Sequence, residues 1–142
     1  MEPLIALLVG FAGARLAGFA GVDVLDAWLP ALRVGLAVMF VFTGLAHFHP
    51  RLRAEIVDMV PPGLPRPELL VTLTGVLELA GAVGLLIPAT APWAAICLVL
   101  LLIAMFPANL SAARRGTALG DPVGRRTLYQ IVYVGALALT LA

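Results

Sequence analysis

The run at residues 69–88, LLVTLTGVLELAGAVGLLIP, is apolar or small throughout except for Thr72, Thr74 and Glu78. As a helix, twenty residues at 1.5 Å per residue reach about 30 Å, the thickness of the hydrocarbon core of a bilayer. A carboxyl group near the middle of such a run is costly. An intramembrane acid therefore marks a candidate site and calls for a partner.

Four further apolar runs stand at residues 3–22, 29–48, 92–109 and 127–142, the last two being short for a span. The chain is 62% hydrophobic and 12% charged over 142 residues. A small domain leaves much of its surface exposed and cannot hide that much apolar area from water, so lipid must cover it. The expected fold is all-α: one polytopic membrane bundle spanning 1–142, with five spans. The first span is the weakest. Its nine strongly apolar residues contribute roughly −0.3 to −0.6 kcal/mol each, against about +2.5 to +3.5 for Arg15. It is expected to insert with help from a packed partner.

The loops set an orientation. The loop after the first run carries Asp23 and Asp26 and no base, and residues 89–91 carry no charge. Loops 49–68 and 110–126 hold Arg51, Arg53, Arg66, Arg114, Arg115, Arg125 and Arg126. That asymmetry predicts a multi-pass protein of the cytoplasmic membrane. Loops 49–68 and 110–126 are then inside and the C-terminus outside. Within loop 49–68, Pro50 suits a helix start, and Leu52, Ile56, Met59 and Val60 fall on one face. A short helix over 50–60 is expected at the headgroups, as a connector or a lid, stopped by Pro61-Pro62-Gly63. Small residues four apart (Gly10/Ala14/Gly18, Ala17/Gly21, Ala80/Gly84, Ala104/Ala108) suit close helix packing without fixing which helices pair.

Eight acids against nine bases give a net charge of +1, which offers nothing to a nucleic acid. A lone cysteine, Cys97, leaves no internal disulfide, no CxxC pair and no cysteine-based zinc site, and is expected to be an inert core residue. Glu2 stands where a signal peptide would be basic, so no cleavable leader is expected.

FVFTGLAHFHP, MVPPGLPRPELLVTLTGVLELAGAVGLLIP and FPANLSAARRG, taken together, resemble the DoxX family of small bacterial membrane proteins, over about residues 29–142. The resemblance implies a four-helix unit with an added N-terminal helix. It also implies a role beside redox or oxidant-detoxification pathways, with a quinone or an oxidoreductase as associate. The chain lacks the cysteine pairs of the redox-linked members, which argues against thiol–disulfide chemistry.

Glu78 lies about 14 Å into its span, and Arg15 a few ångströms further across, so the two are expected to pair. The alternative is a protonated Glu78 bonded to Thr74, one turn away. Thr74, Glu78, Gly81 and Leu85 share a face that should look into the bundle. The residue types leave Glu78 open as scaffold, ligand-binding group or proton carrier. His47, with Thr43 one turn back, ends the second run. Asn109 ends the fourth, and Tyr129 and Gln130 open the fifth. These form a polar mouth able to hydrogen-bond a quinone-like head group, or else ordinary interfacial residues and caps. His47 and His49 cannot ligate one haem from a single helical face, and no His/Asp/Glu set has metal-ligand spacing. Arg33 is expected to pair with Asp23 and Asp26.

The expected function is an accessory, quinone-associated membrane subunit, not an enzyme on its own, with an oxidoreductase or further copies of itself as partner. A proton-coupled small-molecule transporter using Glu78, and a chaperone for membrane proteins, are the alternatives.

Overall fold

The computed structural model describes residues 2–117, 119 and 121–142. Among them it is about 81% helical with no strand. The order is α1 (Glu2–Phe19), a 3-10 turn (Asp23–Leu25), α2 (Trp28–Ala46), α3 (Pro50–Met59), α4 (Pro67–Leu86), α5 (Ala91–Arg115) and α6 (Val123–Leu139). The helices α1, α2, α4 and α5 are long and apolar enough to cross a membrane.

Local chemistry sets the ends. Pro50 and Pro67 occupy first-turn positions, where a missing N–H costs nothing. α5 is the one long departure from the expected runs. It continues through Pro107 and stops only at Gly116, whose φ of 63° is a left-handed cap. Proline deprives the helix of one hydrogen bond, but a packed membrane helix tolerates that loss.

α2 is the central element. It packs on α1 along one side and on α4 along the other; α4 continues to α5, α5 to α6, and α6 returns to α2. Leu36, Met39, Phe40, Leu85, Leu98 and Leu137 fill the resulting core. Small residues let the backbones close up. A Cβ on Gly35 would lie 2.7 Å from the Leu7 carbonyl oxygen, and one on Gly10 would lie 3.0 Å from the Gly35 Cα. So Gly10 marks the contact of α1 with α2, while Gly18 lies against the turn at Leu25 and Asp26. Large apolar side chains remain exposed all round, including Val9, Leu16, Phe19, Trp93, Leu100 and Ile131. Cys97 is on this outer surface, which corrects its expected place in the core. α5 has more apolar faces than neighbours to cover them.

The two ends of the bundle differ. At one, the Arg115 guanidinium donates to the carbonyls of Asp58 and Val60 and lies 3.7 Å from the Asp58 carboxylate, clasping α3 to α5. Arg53 donates to the His47 carbonyl (3.0 Å), the Glu68 carbonyl (3.1 Å) and Thr72 Oγ1 (2.8 Å), joining α2, α3 and α4. At the other end Arg33 donates to the Thr140 carbonyl at 3.3 Å. Arg33 thus closes α2 on α6 instead of pairing with Asp23 and Asp26, and Asp26 is left for Arg15.

Candidate functional site

Glu78 is 3% exposed and faces α2. The register of the two antiparallel helices follows from one close approach: a Cβ on Gly75 would fall 2.7 Å from the His47 Cβ. One turn on, Thr43 therefore meets Glu78, and its hydroxyl donates to Oε2 at 2.6 Å. The two partners expected for Glu78 are engaged elsewhere. Thr74 Oγ1 bonds within its own helix, to the carbonyls of Leu70 (2.9 Å) and Val71 (3.1 Å). Arg15 donates to the Leu25 carbonyl at 3.2 Å, lies 3.7 Å from Asp26 and covers the Phe19 ring at 4.5 Å. Asp26 precedes α2 and Thr43 is near its far end, so roughly 25 Å of helix separates Arg15 from Glu78. The pairing expected from depth alone does not form. Among the described residues no cation pairs with Glu78.

His47 stands one residue beyond the end of α2 and is 5% exposed. Its Nδ1 lies 2.8 Å from the Thr43 carbonyl oxygen. A carbonyl can only accept, so Nδ1 carries the hydrogen, and Nε2 of the neutral ring is an acceptor. Nε2 is buried and has no partner among the described residues. Burial pushes the imidazole pKa below its ordinary value; the bond to Thr43 opposes this, and the nearby Arg53 guanidinium lowers it further.

These groups lie on one cavity of about 500 Å³ between α2, α4, α5 and α6. Thr43, His47, Glu78, Asn109, Tyr129 and Gln130 all line it; Arg15 and Thr74 are not among its lining. The midplane acid and the polar mouth, two separate candidates from sequence, are thus one site. The apolar face of α3 contributes Leu52, Ile56 and Met59, so the short helix covers the cavity. Phe42 and Leu45 also line it while being 46% and 55% exposed, so the cavity wall reaches the outer surface of the bundle there. Arg33 and Thr140 hold α2 and α6 together at the opposite end.

Three contributors were not among the residues expected from sequence. Tyr133 lines the cavity one turn beyond Tyr129, the two rings stacked with centroids 6.2 Å apart, and its buried hydroxyl has no partner among the described residues. The i,i+4 spacing of the two tyrosines was the available signal. Arg126 also lines the cavity and donates to Asn109 Oδ1 at 2.9 Å, tying α6 to α5. Arg53 holds the His47 carbonyl from outside, which nothing in its spacing announced.

Residues 36–141 match the family model described as a domain of unknown function, DUF8561. The chain belongs to that family. The DoxX resemblance is corrected by this result, since no match to that family is found. The quoted motifs consist largely of Gly, Ala, Leu and Pro, the residues that any closely packed antiparallel membrane bundle uses at its contacts and turns. The DUF8561 match takes in α3 to α6 and most of α2, and with them every polar cavity residue named above. No curated protein matches the chain, and neither does any solved structure.

Proposed function

We propose that this member of the DUF8561 family is a five-span membrane protein that binds a small lipophilic molecule by its polar end. The spans are α1, α2, α4, α5 and α6, with α3 at the cytoplasmic face. The belt of exposed apolar side chains and the gathering of seven arginines toward one end support this placement. α6 has 17 helical residues, about 26 Å of rise, enough for a span when Thr140 and Leu141 extend it.

One observation carries the binding reading. A cavity of about 500 Å³, apolar over most of its wall, gathers its polar groups from four helices and includes a buried imidazole nitrogen without a partner among the described residues. Ligand pockets have this composition, a largely apolar lining with a few convergent polar groups. Where the cavity wall reaches the outer surface, beside Phe42 and Leu45, a molecule enters from the lipid. A quinone-like molecule fits this description, as do other lipophiles with a compact polar head. The redox setting rested on the DoxX resemblance alone and has no support without it.

The test is mass spectrometry of the full chain purified from membranes in mild detergent. Wild-type protein should retain a lipophile that Met105→Trp, which fills the cavity from α5, releases. Retention of the same species by both proteins, or of none by wild type, would overturn the reading.

That no cation among the described residues pairs with Glu78 favours a second reading, a proton-coupled transporter in which this carboxyl exchanges its proton. In liposomes such a protein takes up substrate along a pH gradient, and Glu78→Gln abolishes uptake. Uptake that survives Glu78→Gln sinks it.

A further inference from the structure

The cavity specifies more about its occupant than lipophilicity. The donors and acceptors on its wall are unevenly used. Thr43 has its hydroxyl hydrogen on Glu78 Oε2, Asn109 Oδ1 is taken by Arg126, and His47 has spent its only N–H on the Thr43 carbonyl. Unmet on buried atoms of the residues that line the cavity, among the described residues, are the acceptor Nε2 of His47, the donor Nε–H of Arg126 and the hydroxyl of Tyr133, which can give or take. A ligand head made only of carbonyl or ether oxygens would leave Nε2 bare, and an unmet buried acceptor is penalised. A head carrying an O–H satisfies it. Aromatic rings line the cavity, the stacked pair Tyr129 and Tyr133 from α6 and Phe40 and Phe42 from α2. Flat faces of that kind favour a ring over an alkyl head through offset or edge contacts.

We infer that the occupant is an alkylated aromatic alcohol, a phenol or quinol with an apolar tail, whose hydroxyl donates to His47 Nε2. The ring lies against the Tyr129–Tyr133 pair, and the tail leaves past Phe42 and Leu45. The oxidised, carbonyl-only counterpart of such a quinol is the poorer ligand. This rests on the lipophile-binding reading above and narrows it to one chemistry. No bond is made or broken in binding, so no oxidant or reductant is involved.

The discriminating pair is 4-nonylphenol and its methyl ether, 4-nonylanisole, titrated against the full wild-type chain in detergent by calorimetry. The two differ by one hydrogen-bond donor. The phenol is expected to bind roughly tenfold more tightly, the range of one unmet buried hydrogen bond. Equal affinity for the two overturns the donor assignment while leaving lipophile binding in place. Binding of neither overturns both. His47→Leu, checked for folding by circular dichroism, should erase the preference. A preference that persists in that variant overturns the role given to His47. The wild-type comparison decides the matter without any variant, so a misfolded His47→Leu does not shield the proposal.

Discussion

At the scale of single residues, burial and register decide more than residue type. Gly75 sits where a Cβ would lie 2.7 Å from the His47 Cβ. Gly75→Val should therefore force α2 and α4 apart and cost about 1–3 kcal/mol, by overpacking. A lowered midpoint in thermal unfolding in detergent would register it. Gly135, also within a helix, has nothing within 4 Å of the place a Cβ would take, so Gly135→Ala should leave that midpoint unchanged or raise it slightly. Thr43→Val keeps the shape of the side chain and removes the donor to Glu78 Oε2. The buried carboxyl then lacks its partner, and a loss of about 1–3 kcal/mol is expected in the same measurement. A neutral outcome for Thr43→Val would mean that this hydrogen bond contributes nothing to holding α2 on α4.

At the scale of elements, α1 and α3 each carry or meet one arginine whose partners their sequences do not announce. Arg15 is satisfied at the end of α1 by Asp26, the Leu25 carbonyl and the Phe19 ring. Arg15→Leu removes a charge worth about +2.5 to +3.5 kcal/mol near the centre of an isolated span, less toward its end. Insertion of α1 should become more efficient in a glycosylation-mapping assay. Because Arg15 does not reach Glu78, lipophile retention should be unchanged in the same variant. Loss of retention would place Arg15 in the site after all. α3 is held by the Arg115 clasp on Asp58 and Val60. Arg115→Ala should raise hydrogen exchange across residues 50–59 and leave exchange in α4 as it was, since α4 keeps its own packing on α2.

At the scale of the whole molecule, the bundle is a ring of four helices with α1 laid outside it and a cavity in the half that bears the arginines. The proposed orientation is testable by labelling in intact cells. With Cys97 replaced by alanine, a cysteine at Gly63 should react only after the membrane is made permeable, whereas one at Ala89 should react without that step. The reverse pattern would invert the protein and move the cavity to the outer half.

Sequence alone determined the all-α class and marked helices apolar and long enough to cross a membrane, because hydropathy over twenty residues is a local sum that needs no tertiary knowledge. It located the runs that become α1 to α6 and the start of α3 at Pro50. Of the face expected to look into the bundle, Glu78 and Leu85 are buried and Thr74 and Gly81 only partly so, while Val71, Gly75 and Ala82 complete the buried stripe of α4. The tertiary structure decided which residues meet. Depth counted from helix ends put Arg15 beside Glu78, but depth says nothing of lateral position or register. The Gly75–His47 approach sets that register and delivers Thr43 instead. For the same reason a midplane acid and an interfacial histidine, unrelated along the chain, share one cavity. The acid that marks the run at residues 69–88 is visible in the sequence. Its partner and the cavity it lines exist only once α2 has slid into place beside α4.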